Sequence, residues 1–376
     1  MKHTKLMLLI GCLIFVLTGC WDEKEIGQVN YVTTLAIDYK DENYLMYVQL
    51  LDFSNVAKQE TGKPSAAVPL YIGKGKGRNI DDAIYDLYRT SQQSINWAHI
   101  GAIIYSEAVL KKGLHEIGQA LRKNGEFRYT PWMFGTKDPI EEVLSVTGFF
   151  QMPPIYTILY KPTDTYYIYS YIRPLRMHNF SALLSEPGST VLLPSIAIDD
   201  SKWTEAKVKP NPKETLKIDG VFPLYDRKLK VWLPYEELSG IRWMDAKTKN
   251  TPVNIIKDGK IKGTVRITNP SAKIKVLKEA DNFQFNFHVK AEGTLTSLEE
   301  YLSGSQIEKI VMDQIEKEIK DTYLKGLKKD IDVFNLKNTI FHERVKPNEL
   351  DKYKLTADSL QDVIVDFQLE SRGVYE

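Results

Sequence analysis

Cys20 carries the most definite chemistry in this chain, because a thiol that becomes the N-terminus of a processed protein is the acceptor for a diacylglycerol. The other cysteine, Cys12, lies in the apolar stretch ahead of it. Elsewhere the reactive residue types fall at spacings that build no catalytic motif. There is no GxSxG elbow, HExxH pair or SxxK arrangement. His3, His99, His115, His178, His288 and His342 are too dispersed to argue a metal site, and His99, with no acid or nucleophile at a motif spacing, reads as a packing or hydrogen-bonding residue. The acidic pairs Asp81–Asp82 and Glu236–Glu237 send adjacent side chains in different helical directions and read as caps or solvated faces. Gly73, Gly75 and Gly77 alternate with Lys74, Lys76 and Arg78 and could cradle an anion on backbone amides. Their order matches neither GxxxxGK[ST] nor GxGxxG, so the stretch is expected to be a solvated turn before a helix capped by Asn79. No catalytic, metal-ligating or cofactor-binding residue is assigned.

The elements that would position Cys20 begin at the first residue. Lys2 and Lys5 precede an apolar run from Leu6 to Leu17, and the segment closes on LTGC. The run is shorter than the ~20 residues that cross a hydrocarbon core, and no stop-transfer pattern follows. Residues 1–19 therefore read as a secretory signal, and the closing tetrapeptide resembles a bacterial lipobox. Cleavage before Cys20 would leave the chain outside the cytoplasm, held to a bilayer by acyl chains worth about 0.8 kcal/mol per buried methylene. Cys12 would leave with the signal and Cys20 would be used by the anchor, so folding is expected to rest on buried surface rather than disulfides. The chain has 50 basic and 49 acidic residues, and losing Lys2 and Lys5 takes the formal charge from +1 to −1. Such a balance gives no field to recruit nucleic acid or an anionic lipid surface.

Trp21, Asp22 and Ile26 follow the lipidation site directly. An indole suits the membrane interface, Ile26 can pack under the first strand, and Asp22 can cap the intervening turn, so the three are candidate membrane-proximal docking residues. Val29 to Asp38 and Tyr44 to Phe53 predict a hairpin around YKDEN. No Ser/Gly-rich spacer separates it from Cys20, which favours docking over roaming. The lipobox running into CWDEKEI, and the strand ending in AID, resemble the Ger(x)C family of spore germination lipoproteins, the C subunits of nutrient germinant receptors. The resemblance continues through HIGAIIYSEAVLKKGLHEI and through a later hairpin followed by Gly240 and Trp243. It implies a non-catalytic subunit, lipid-anchored on the outer face of the spore inner membrane. It also implies assembly with two integral-membrane receptor subunits in germination signalling. It does not imply that this subunit binds the nutrient. The alternative reading is a solute-binding lipoprotein of a membrane transporter, which would show a convergent polar cleft between equal lobes.

The fold class expected is α+β, a multidomain mixed α/β chain with antiparallel and mixed sheets. Strand, helix and strand over Ile100–Tyr105, 107–121 and Thr130–Phe134 predict a parallel crossover. The tyrosines of TYYIYSYI could form a carbohydrate-binding platform, but beside the family they read as architecture. Phe283, Phe285 and Phe287 alternate with Gln284, Asn286 and His288, which predicts a half-buried strand. Ile307, Val311, Ile315, Ile319, Tyr323 and Leu327 predict a long helix packed on that sheet in the C-terminal half, with Ser305 and Glu308 as its capping box. The polar stretch 201–213 suggests a boundary, giving domains at 20–200 and 214–376, with a further division of the second open near 250–260.

Overall fold

A computed structural model describes residues 29–51, 69–123, 125–206, 210–279, 282–350 and 352–371. Strands β1 (Val29–Lys40) and β2 (Asn43–Leu51) form the predicted hairpin, in register from Val32 against Leu50 to Lys40 against Asn43. Asp41 and Glu42 both take positive φ, 49° and 59°, the turn whose twist matches that of the flanking strands. Strand β3 (Leu70–Gly77) adds antiparallel to β2.

This corrects the expectation of a solvated turn, because GKGKG is an edge strand with helix α1 (Ile80–Tyr88) lying directly on it. A Cβ on Gly75 would come within 2.0 Å of the Ala83 carbonyl oxygen, and one on Gly77 within 2.4 Å of the Ala83 nitrogen. The glycines are demanded by that approach. Asn79 caps α1 as expected, its Oδ1 accepting from Asp82 N at 2.8 Å. Lys76 N donates to Asp86 Oδ2 at 3.0 Å, which occupies an edge amide. Gly75→Ala is therefore expected to lower stability by about 1–3 kcal/mol through overpacking, read as a fall in the denaturant midpoint. An unchanged midpoint would mean that α1 is free to shift away from β3.

Beyond β4 (Ser94–Asn96), which pairs with the start of β1, the fully buried β5 (Ala102–Ser106) lies parallel to β1. The helix expected over 107–121 is two, α2 (Glu107–Lys112) and α3 (His115–Lys123), broken where Gly113 takes φ 109°. Strand β6 (Trp132–Thr136) then pairs parallel with β5, so the crossover forms. After α4 (Ile140–Ser145), α5 (Pro162–Ile168), β7 (Leu175–Arg176) and α6 (Met177–Leu183), the chain enters β8 (Thr190–Asp199). A small hairpin, β9 (Thr204–Glu205) with β10 (Asn211–Pro212), leads to β11 (Thr215–Tyr225). Strand β11 runs antiparallel beside β8, from Thr215 opposite Asp199 to Tyr225 opposite Thr190. Short β12 (Lys228–Leu229) and β13 (Leu233–Pro234) pair with its other side. The stretch 201–213 thus connects two neighbours of one sheet, ordered β12-β11-β8-β6-β5-β1-β2-β3. Ile103 and Tyr105 belong to the core on one face of β5, and Ala102 and Ile104 to the core on the other. A sheet covered on both faces accounts for the unbroken apolar run there.

After α7 (Ile241–Met244), strands β14 (Asn250–Lys257), β15 (Lys260–Glu279) and β16 (Asn282–Leu298) form an antiparallel meander. Strand β15 runs on through Asn269 and Pro270, with a register shift against β16 between Thr268 and Ser271. Phe285 and Phe287 are fully buried under α8 (Gly304–Lys328), whose Ile307, Val311, Ile315 and Ile319 are likewise fully buried, as the periodicity predicted. The cap of α8 is Ser303 rather than Ser305. Gln306 N donates to Ser303 Oγ at 3.2 Å while Ser303 N donates to Gln306 Oε1 at 2.8 Å, leaving Ser305 inside the first turn. Helices α9 (Leu336–His342) and α10 (Pro347–Leu350) return the chain to β17 (Leu360–Ser371), which pairs parallel with β16. The mixed α/β architecture with a long helix on a C-terminal sheet is that expected.

Candidate functional site

Cys20, Trp21, Asp22 and Ile26 lie outside the described residues. The structure shows the element they lead into, because β1 sits between β5 and β2 rather than at an edge. Its first half is fixed by a buried polar network. Thr33 Oγ1 and Thr34 Oγ1 each donate to Gln49 Oε1 at 3.1 Å, and Gln49 Nε2 donates to the Leu144 carbonyl at 2.7 Å. Tyr160, whose hydroxyl is pushed up to about 12 by burial, donates to Gln49 Oε1 at 2.5 Å. His99 stands edge-on to Tyr31 with ring centroids 4.9 Å apart, the packing role expected of it. His178 Nδ1 lies 3.1 Å from the Tyr129 carbonyl, and His115 Nε2 lies 3.0 Å from Gln119 Nε2. Among the described residues, no group of three or more His, Cys, Asp or Glu is placed to hold a metal ion.

The richest side-chain assembly lies where the first sheet meets the C-terminal core. Arg242 projects from α7, and its Nη2 donates to both carboxylate oxygens of Glu318 of α8, at 3.0 Å to Oε1 and 2.7 Å to Oε2. Trp243 Nε1 donates to the same carboxylate at 2.8 Å. Arg242 also donates to Thr251 Oγ1 at 2.9 Å and lies 5.1 Å over the Tyr171 ring. Gly240 explains its own identity, since a Cβ there would fall 2.6 Å from the Glu318 carbonyl oxygen. The Gly240 and Trp243 pair is thus the lock that holds α7 on α8. Arg242 and Glu318 were not singled out from sequence, because no local pattern links residues so far apart.

Tyrosines extend this assembly outward. Tyr171 stacks on Tyr235 at 3.8 Å between centroids, Tyr169 lies 6.0 Å from Tyr171, and Tyr235 donates from its hydroxyl to that of Tyr169 at 2.5 Å. Burial holds the Tyr171 and Tyr235 hydroxyls well above the ordinary phenol range. Between these rings and the first sheet is a cleft of about 300 Å³, lined by residues including Phe134, Pro194 and Leu216. Its lining is mostly ring and aliphatic carbon, unlike the convergent polar cleft of the transporter reading.

Residues 22–198 match the family model described as spore germination protein N-terminal domain, and residues 220–373 match that described as spore germination B3/GerAC like, C-terminal. The chain belongs to the Ger(x)C family of spore germination proteins. This Ger(x)C chain is 25% identical over 378 residues to spore germination protein KC of Bacillus subtilis (strain 168), covering 95% of this chain and 92% of that protein. It is 21% identical over 291 residues to spore germination protein A3 of the same strain, covering 75% of this chain and 71% of that protein. The crystal structure of the GerBC protein superposes with a TM-score of 0.52 at 17% identity, over 90% of this chain and 96% of that one, a likeness of fold. In the Ger(x)C chain the C-terminal match starts within β11, a strand of the first sheet.

Proposed function

We propose that this Ger(x)C protein is the lipid-anchored, non-catalytic subunit of a spore nutrient germinant receptor. Cys20 carries the lipid on the outer face of the spore inner membrane, and the folded lobes assemble with two integral-membrane subunits. The observation that carries this reading is the N-terminal family match starting at residue 22, next to the lipobox and without an intervening spacer. No helix among the described residues is long and apolar enough to cross a membrane, so a lipid at Cys20 would supply the attachment. Trp21, Asp22 and Ile26 then act as a short coupling that sets the height of β1, and with it the whole first sheet, above the bilayer.

Changing Trp21 and Ile26 together to Ser is expected to leave Cys20 lipidated while reducing recovery of the membrane subunits and the nutrient response several-fold. A long Gly/Ser insertion after Cys20 is expected to do the same, because it frees the geometry while keeping the anchor. Affinity capture from spore membranes with each variant, at matched protein levels, tests the coupling. Normal recovery and response in both variants would show that the segment is passive.

A further inference from the structure

Between α4 and α5 the chain makes a tight turn that points apolar rings outward. Gly148 N donates to the Met152 carbonyl at 2.9 Å, and Met152 N donates to the Phe149 carbonyl at 3.1 Å, so the loop is closed on itself. Closure puts Phe150 at φ 57° and Gln151 at φ 61°, two consecutive left-handed residues neither of which is glycine. That region is disfavoured for a bulky side chain. The Phe150 ring gains no packing in return, since it is 93% exposed. Its neighbour Phe149, 43% exposed, stands edge-on to Trp203, 56% exposed, with ring centroids 5.0 Å apart. Lys213 fastens the two loops together, its backbone N donating to the Trp203 carbonyl at 2.8 Å and its Nζ to the Thr147 carbonyl at 2.9 Å. Tyr156 lies beside Gly148 with Lys161 Nζ over its ring at 5.0 Å, and Lys202 is exposed next to Trp203. Backbone strain combined with gathered apolar surface is characteristic of contact sites.

What lies within reach of these rings follows from the tether. Residues 21–28 alone separate Cys20 from Val29, and at about 3.5 Å per residue even full extension keeps β1 within about 30 Å of the lipidated end. The part matched over residues 22–198 makes a lobe about 40 Å across, so the bilayer lies within range of its surface loops. Indole and phenyl rings with lysines at their margin suit the boundary between headgroups and acyl chains. The rings enter the apolar side while the ammonium groups stay in water. We propose that Phe149, Phe150 and Trp203 insert into this boundary of the bilayer that carries the anchor, giving the first lobe a second point of contact. The inference rests on the lipid-anchored reading. A single tether limits height and leaves the lobe free to swivel, whereas a second contact fixes which face meets the membrane partners. Three rings bury too little apolar area to replace acyl chains, so this contact orients the lobe rather than retaining it.

Tryptophan quenching by brominated lipid tests this on the lipidated chain reconstituted in phosphatidylcholine vesicles. Trp97 and Trp243 are fully buried, and subtracting the emission of a Trp203→Phe variant isolates the signal of Trp203. With bromine near the headgroup end of the acyl chains, Trp203 is expected to lose most of its emission. Phe150→Gly is expected to abolish most of that quenching. Its melting temperature should stay at or above that of the unchanged chain, because glycine accepts the left-handed turn. Both variants remain on the vesicles through Cys20, and mass spectrometry of the N-terminus checks the lipid, so failure of the anchor is read separately. On a lipidated, vesicle-bound chain, an unquenched Trp203 would overturn the proposal. Quenching unchanged by Phe150→Gly, or a lowered melting temperature in that variant, which would assign the ring to packing, would overturn it as well.

Discussion

Cys20→Ala is expected to move the protein out of the spore membrane fraction and to abolish the nutrient response, while both lobes still fold. The expectation follows from how little else would hold the chain there. Each buried methylene of an acyl chain contributes about 0.8 kcal/mol, so two or three chains make a durable anchor and none leaves only surface contact. The near-balanced charge, +1 over the whole sequence, supplies no substitute attraction to anionic lipid. Mass spectrometry of the processed N-terminus gives the direct reading, and fractionation with a germination assay gives the consequence. A functional mature protein carrying an unmodified Cys20 would contradict the anchor.

Glu318→Ala is expected to produce the largest loss of stability among single changes outside the leader. Arg242 and Glu318 side chains are 6% and 13% exposed, so removing the carboxylate leaves a buried guanidinium uncompensated. Breaking one partner of such a pair costs about 3–5 kcal/mol, a large share of the roughly 5–15 kcal/mol that keeps a domain folded. Trp243 would lose its acceptor in the same step. Glu318→Gln keeps oxygen and shape while removing charge, and is expected to cost less. Denaturant unfolding of the two variants measures the difference. Equal, small losses would show that water already reaches the pair.

Elements set by a local period were legible in the sequence. The β1–β2 hairpin followed from its turn residues, the parallel β5–β6 crossover from the order of apolar segments, and α8 from isoleucines spaced to one face. The phenylalanine stripe of β16 found the cover assigned to it. What escaped was set by approach in three dimensions. The GKGKG stretch looked like a turn because glycine signals both loops and tight packing, and only the position of Ala83 distinguishes them. Two serines in SGSQ offer capping registers, and the reciprocal bond through Gln306 selected the earlier one. The Arg242–Glu318 pair and the cleft beside Tyr171 depend on segments that meet only after folding. The coupling role proposed for Trp21, Asp22 and Ile26 rests on the chemistry of indole, carboxylate and isoleucine beside a lipid.

Affinity capture of the lipidated chain from spore inner membranes most directly tests the proposal of a lipid-anchored subunit that works through membrane partners. Two integral-membrane receptor subunits are expected to co-purify in near-stoichiometric amounts, with recovery falling when Cys20 is replaced. Co-purification of a transport permease with its ATPase, or capture of the lipidated chain alone, would contradict it.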